Sequence, residues 1–391
     1  MNVTKNQSNF ILTQQKLIEG VFLKRLNRFV VECLIDGKKQ LAHLPNPGRL
    51  WELLFKGSKI ILYKSNSKER NLQYTVAAVY KNSKPVLLHT SETNSVANWL
   101  LQNQLIDELK DFKVLSREKT LNHSRIDFHL SDGKKELFLE VKSCTLFHHK
   151  LAMFPDAITE RGSKHLNELA ELNSGDKIGG VLFLVHNKDV EYFLPEFHTD
   201  LKFARNFYQL KDKIKFFVYS LDWNDSLSLD HTKIKKVKIP FDVLKNELED
   251  SGTYILVIHN NQKQKIEIGN LGRVNFEKGY YCYIGSAMQN LTKRVDRHKR
   301  KIKNHHWHID YLLDKTKIHK SIEIRSNEKL ECIVANGVKK ISDGEIKNFG
   351  SSDCSCNSHL FFFKENPLQR KDFIDLILDF RMKRLVEKYN L

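Results

Sequence analysis

The chain lacks the features that would place it in several large protein classes. It contains no run of about 18 apolar residues, which excludes a helical membrane span. Its first residues, Met1-Asn-Val-Thr-Lys-Asn-Gln-Ser-Asn9, are polar and carry no apolar stretch of the signal-peptide kind. Internal repeats and low-complexity tracts are also missing. Cysteine is sparse, six in 391 residues, and Cys33, Cys144, Cys282 and Cys332 sit inside apolar strand-like runs. That distribution excludes a disulfide framework and reads as reduced, cytoplasmic usage. Acidic residues are in deficit, 47 against 64 Lys and Arg, giving a formal charge of +17 and a pI near 9.4. Such a balance favours polyanions through counterion release, without saying anything about sequence preference.

A length of 391 residues exceeds one ordinary core, and a hydrophobic fraction of 41% is enough to build more than one. The first 90 residues read as closely spaced strands, Val21–Arg25, Phe29–Leu34, Gln40–Leu44, Lys59–Tyr63 and Tyr74–Tyr80, with a turn at Asp36-Gly37. This spacing suggests a small barrel or sandwich, and a five-stranded barrel of the oligonucleotide-binding (OB) kind fits the size. From 90 to 222 the order is helix (93–109), strands (112–118, 125–130, 136–143), helix (160–172), strand (179–186), helix (200–210) and strand (214–220), a mixed α/β domain. Residues 223–250 are polar and charged and read as a linker closed by a short helix. A compact α+β unit opens at Gly252 and runs to about Phe363, followed by an amphipathic, basic helix to Leu391. The expected division is therefore 1–88, 89–222, a linker at 223–250, and 251–391.

Asp127 stands thirteen residues before Glu140-Val-Lys142, which ends the apolar strand Leu137-Phe-Leu-Glu-Val. Strand residues two apart share a face, so Glu140 and Lys142 point together while Leu139 and Val141 face apolar packing. If 125–130 pairs with this strand as a hairpin, Asp127 comes beside Glu140. Two such carboxylates suit Mg2+ or Mn2+, and Lys142 could orient the attacking water and offset phosphate charge. The tripeptide Glu-x-Lys is weak by itself, because it recurs at Glu108–Lys110 and Glu345–Lys347. The competing reading is a structural ion pair at Lys142. Lys24, Arg25, Arg28 and Arg49 of the barrel are candidate phosphate contacts, set against ordinary solvated surface charge, and Phe22 and Phe29 read as core before base-stacking platforms.

Several separated motifs add a resemblance. Phe22-Leu-Lys-Arg-Leu-Asn-Arg-Phe, His43-Leu-Pro-Asn-Pro-Gly-Arg-Leu, Ser124-Arg-Ile-Asp-Phe, Glu140-Val-Lys-Ser-Cys-Thr-Leu and Phe154-Pro-Asp-Ala-Ile-Thr-Glu-Arg-Gly-Ser-Lys-His-Leu resemble the sugar fermentation stimulation protein (SfsA) family over residues 15–222. The resemblance implies an OB-like domain joined to a PD-(D/E)xK nuclease-like domain, and DNA binding. It puts Asp127, Glu140 and Lys142 on the nuclease motif. Arg125, Asp156, Arg161, Lys164 and His165 fall on other family positions, and Arg125, Arg161 and Lys164 join the candidate DNA contacts.

A second constellation lies downstream. Gly252-Thr-Tyr254 opens one strand, Tyr283-Ile-Gly285 closes another, and Arg294 and His298 share a helix face at i, i+4. A phenol or water-linked base, a guanidinium for the phosphate and a carboxylate such as Glu331 for a metal would make a hydrolytic site. Taken singly, these residues read as strand packing and a solvated helix face. With Gly279-Tyr-Tyr-Cys-Tyr-Ile-Gly-Ser-Ala, His306-Trp-His-Ile-Asp-Tyr-Leu-Leu, Glu331-Cys and Phe349-Gly-Ser-Ser-Asp-Cys-Ser-Cys-Asn-Ser-His-Leu they resemble a subfamily of the GIY-YIG nuclease superfamily, over residues 250–363. That resemblance implies Tyr254 and Tyr283 at the reacting water, Arg294 at the scissile phosphate and Glu331 at the metal. Two departures are Thr253 in place of the usual isoleucine and a long inter-tyrosine segment, Gln262–Lys278, expected to reshape the substrate path.

Cys354-x-Cys356-x-x-His359, with His306 and His308 upstream, offers zinc-type ligands. Cys-x-Cys is tighter than the usual spacing and no Cys-x-x-Cys completes a set, so a turn presenting Ser351, Ser352, Asp353 and His359 to substrate is the stronger reading. The chain is thus expected to be a DNA-directed, metal-dependent nuclease. The alternatives are a non-catalytic DNA-binding protein on nuclease folds and an RNA-processing nuclease.

Overall fold

The computed structural model describes residues 9–65, 71–121 and 124–391, so the first polar residues lie outside it. The chain divides into two compact units, one of residues 1–196 and 202–241 with Leu391, the other of 197–201 and 242–390.

The first unit begins with the OB barrel. Six strands run in the order Lys38–His43, Val30–Ile35, Leu17–Asn27, Lys59–Lys64, Tyr74–Lys81, Lys84–Leu87. A parallel pairing of Ala42 with Tyr74 and His43 with Thr75 closes the barrel. The Asp36-Gly37 turn has positive φ at both residues, 48° and 74°, the twist a two-residue hairpin between Val30–Ile35 and Lys38–His43 requires.

A six-stranded mixed sheet follows. Strands Glu136–Cys144, Lys177–Val185 and Lys215–Ser220 run parallel, and Ser124–Ser131 and Lys113–Leu121 complete one side antiparallel. Glu136–Cys144 is buried along most of its length, as a continuous Leu-Phe-Leu run predicts for a strand covered on both faces. Helix Glu160–Glu171 is capped by Thr159, whose hydroxyl accepts from Gly162 N at 2.9 Å, and it turns His165 and Leu166 inward. A small sheet of Phe147–His148, Leu151–Phe154 and Tyr192–Pro195 is an element that hydrophobic periodicity does not reveal.

The segment expected to be a linker is largely part of this unit. Trp223, Leu227 and Leu229 are buried in the same core as Leu139 and Leu182, and Ser228–Leu229 pairs with Phe10–Ile11. Lys235–Lys236 adds an edge strand to the main sheet. Within 223–241, Trp223, Leu227, Leu229 and Val237 are buried and anchor the segment.

In the second unit a five-stranded antiparallel sheet runs in the order Lys317–Arg325, Gly252–Asn260, Gly279–Ala287, Leu360–Phe363, Gly344–Glu345. Helices Leu291–Lys299, His308–Leu313, Glu331–Ile341 and Lys371–Leu378 accompany it. The segment Gln262–Lys278 folds as a hairpin, Gln264–Glu267 with Arg273–Phe276. Its Ile266, Ile268 and Phe276 are buried beside Tyr281 and Ile309, so this insertion extends the core. The basic tail is committed internally as well. Lys388 and Tyr389 reach the buried Glu247, each at 2.8 Å, Arg384 contacts Glu247 and Glu328, and Arg381 donates to Glu323 O. No helix of the described residues is long and apolar enough to cross a membrane.

Candidate active sites

In the first unit the hairpin register brings Leu139 opposite Phe128, one step from Asp127 and Glu140. Asp127 is held from two sides: Asn94 Nδ2 donates to Oδ1 at 2.7 Å and Val141 N to Oδ2 at 2.8 Å. Glu140 is buried, and its Oε1 accepts from Lys142 Nζ at 2.6 Å and from His165 Nδ1 at 2.8 Å. Arg161 Nε donates to His165 Nε2 at 3.3 Å, which fixes the tautomer that serves Glu140. Glu140 Oε2 is buried with no hydrogen-bond partner. Burial, and then the neighbouring Glu140, push the Asp127 carboxyl above its usual range. Burial pushes Glu140 the same way, but the hydrogen bond from His165 and the charge of Lys142 outweigh it and hold Glu140 ionised. One carboxylate is thus favoured as an anion, and ionisation of the second is opposed by burial and by its neighbour.

In the second unit a cavity of about 280 Å³ is lined by Tyr254, Tyr283, Arg294, Trp307, Glu331 and Asp353, among others. Tyr254 and Tyr283 sit on neighbouring antiparallel strands, with Tyr254 opposite Gly285. Their rings pack 6.3 Å apart, and Gly285 lies so close to the Tyr254 hydroxyl that no Cβ fits there. Tyr254 Oη is 2.8 Å from His298 Nε2, and Asp310 Oδ1 is 3.8 Å from His298 Nδ1. Asp310 is fully buried; it takes both guanidinium nitrogens of Arg297 at 3.0 Å and backbone N–H of His306 and Trp307. Burial raises the Asp310 pKa less than these hydrogen bonds lower it, so it stays an anion. Burial, then Tyr283, push Tyr254 well above the usual phenol range, and burial lowers His298. A neutral imidazole facing a neutral phenol can pass a proton, and the Asp310 carboxylate on the Nδ1 side favours the tautomer whose Nε2 accepts. Arg294 stacks over Trp307 at 4.4 Å. Glu331, at the start of its helix, accepts from Ser286 Oγ and lies 3.0 Å from His359 Nδ1. Those contacts overcome the effect of burial and lower its pKa.

Residues 23–88 match the model of the SfsA N-terminal OB domain and residues 91–226 that of the sugar fermentation stimulation protein RE domain. The sugar fermentation stimulation protein homolog of Clostridium botulinum (strain Alaska E43) is 37% identical over 217 residues, 55% of this chain and 93% of that protein. The chain belongs to the sugar fermentation stimulation protein family. The homolog from Methanothermobacter thermautotrophicus is also 37% identical, over 187 residues covering 48% of this chain and 78% of that one. The solved structure of Pyrococcus furiosus SfsA in complex with Ca2+ covers 59% of this chain and 99% of its own, with a TM-score of 0.54 and 24% identity. Beyond the SfsA portion, residues 253–382 match the model of a domain of unknown function, DUF123, the small C-terminal α+β unit.

Against this SfsA frame the remaining candidate residues separate. Asp127, Glu140 and Lys142 come together, as do Tyr254, Tyr283, Arg294, His298 and Glu331. Arg25 does not face solvent as a free phosphate contact. Its Nε donates to Asn27 O, Nη1 to Gly48 and Arg49 carbonyls, and Nη2 to Arg28 and Asn46 carbonyls, committing every N–H to the backbone. Lys24 is exposed, 3.8 Å from Glu32; Arg28 is exposed and Arg49 partly so. Arg125 pairs with Glu118 at 2.6 Å on the surface and Lys164 lies 3.5 Å from Glu168, both in geometries that a polyanion can displace. Asp156 accepts from the Arg49 backbone N–H at 2.7 Å, a structural tie. Phe22 is core, whereas Phe29 is 48% exposed at the turn between strands Leu17–Asn27 and Val30–Ile35. Sequence reasoning missed the roles of Asn94, Ser286 and Asp310, polar residues on other elements than the Asp127, Glu331 and Arg297 side chains they contact.

Proposed function

We propose that this protein is a nucleic-acid-directed phosphodiesterase with two separate hydrolytic centres, DNA being its substrate class. The observation that carries the reading is the Asp127–Glu140–Lys142 cluster, in which Glu140 Oε2 is buried and unpartnered beside a second carboxylate whose ionisation it opposes. An orphaned buried carboxylate oxygen is costly by itself and fits a hard divalent cation. Asp127 and Glu140 would hold Mg2+ or Mn2+, which supplies Lewis acidity and a nucleophilic water near neutral pH. Within the chain, Lys142 offsets charge on the phosphate while His165, locked by Arg161, keeps Glu140 oriented.

In the second centre Tyr254 and His298 relay the proton of the attacking water, Arg294 binds the scissile phosphate, and Glu331 would hold the cation. The +17 charge draws in the polyanion, and the exposed Lys24, Arg28 and Phe29 supply ionic and stacking contacts on the barrel. The test is cleavage of end-labelled single-stranded, duplex and branched DNA, and of RNA, with Mg2+, Mn2+ or EDTA. Metal-dependent cutting of DNA supports the proposal; tight binding without cutting in either metal contradicts it, and cutting confined to RNA reassigns the substrate.

A further inference from the structure

We propose that Cys332, Cys354, Cys356 and His359 form a structural zinc site beside the second centre. The four ligand atoms lie within 4.8 Å of one another, and Cys354 Sγ is 3.5 Å from His359 Nε2. A tetrahedral zinc with Zn–S bonds of about 2.3 Å places neighbouring ligands roughly 3.8 Å apart. The cluster is therefore within a small contraction of coordination distance. Three thiols and one imidazole make a complete set of four with no open position, which is the composition of a structural site. Cys332 supplies what the loop spacing lacks: it comes from the first turn of helix Glu331–Ile341, and the other three come from the segment leading into strand Leu360–Phe363.

Two further features point to a metal. His359 is 1% exposed and turned so that Nε2 faces the thiols while Nδ1 stands 3.0 Å from Glu331. Metal on one imidazole nitrogen and a carboxylate on the other is the usual way a ligating histidine is held. Second, Gly350–Ser358 reads Gly-Ser-Ser-Asp-Cys-Ser-Cys-Asn-Ser, without one large apolar side chain or any helix or strand, yet Gly350, Ser352 and Asp353 line the cavity. A loop with no hydrophobic anchor needs another constraint to hold such a wall, and a bound metal cross-linking it to a helix provides one. Binding of zinc releases the thiol protons and leaves His359 with its proton on Nδ1, the nitrogen 3.0 Å from Glu331. The proposal holds whether or not either centre is catalytic.

The experiment uses the full-length chain, purified under reducing conditions. Metal content is measured for wild type, Cys332→Ser and Cys356→Ser, and the EDTA-stripped wild type is titrated with Co2+. One zinc per chain is expected, with each variant falling at least tenfold in zinc affinity. Co2+ should give thiolate charge-transfer bands and intense tetrahedral d–d absorption. Zinc should also shield Cys332, Cys354 and Cys356 from iodoacetamide, mapped by mass spectrometry. A stripped wild-type chain that gives no thiolate–cobalt bands and no protection overturns the site even if the variants fail to fold. So do stoichiometric iron in place of zinc, or zinc retained unchanged in both variants.

Discussion

At the residue scale, neighbours decide what a charged side chain does, and neighbours are only partly legible in sequence. Asp127, Glu140 and Lys142 could be read together because strand alternation and a hairpin fix both face and register. Arg25 could not, since nothing in Lys-Arg-Leu-Asn-Arg distinguishes a guanidinium facing water from one facing carbonyls. Arg25→Ala is expected to destabilise the barrel by about 2–3 kcal/mol, the scale of losing charge-assisted hydrogen bonds that leave acceptors unpaired. The salt dependence of nucleic-acid binding should not change. Urea unfolding and a salt titration check this, and unchanged stability with a shallower salt slope would restore a phosphate role. Glu52 escaped sequence reasoning altogether. It is buried with both carboxylate oxygens unpartnered, and burial, then Asp156, raise its pKa to about 7. A carboxyl whose folded pKa exceeds its unfolded value favours the folded state at low pH. That advantage is lost as pH climbs from the unfolded value near 4.5 through 7. Between about pH 4.5 and pH 8 wild type should lose on the order of 3 kcal/mol relative to Glu52→Gln. Parallel pH–stability curves for the two proteins would contradict this.

At the element scale, strand and helix placement follows from periodicity, while insertions and small sheets do not. The strands at 124–131 and 136–144 and the helix at 160–171 lie close to where strand alternation and helical periodicity put them. The segment 262–278 reads as a loop because its charges dominate, yet Ile266, Ile268 and Phe276 carry the alternating apolar signal of a packed hairpin. Trp223, Leu227 and Leu229 give the same lesson for 223–250. Cys332 escaped the zinc reading because helix Glu331–Ile341 lies far upstream of the Cys-Ser-Cys loop and meets it only in space. The antiparallel pair carrying Tyr254 and Gly285 is the rigid base of the second centre. Gly285→Ala drives a methyl into the Tyr254 hydroxyl, so cleavage by that centre should fall roughly 100-fold, the penalty of about an ångström of misplacement. Circular dichroism should stay native, and full activity would show that the Tyr254 position does not matter.

At the scale of the whole molecule, composition predicts the partner class and the fold gathers a candidate site in each of two compact units. The charge of +17 implies that affinity for DNA falls steeply with salt, roughly 10³-fold or more between about 50 and 200 mM if six or more phosphates are neutralised. A salt-independent dissociation constant would argue against a polyanionic partner. The barrel, the mixed sheet and the C-terminal α+β unit were all legible as classes, because each has its own rhythm of strands and helices. The groupings on which the proposed chemistry rests, the orphaned Glu140 oxygen and the Tyr254–His298 pair beside Asp310, exist only once those elements are packed. The central claim is that the two centres cut independently. It is tested most directly by metal-dependent DNA cleavage in wild type, Asp127→Ala, Arg294→Ala and the double variant, with affinity measured alongside. Each single variant should lose one set of products by roughly 100-fold or more with DNA affinity kept, and the double should lose both. Undiminished cutting by the double variant would contradict the account.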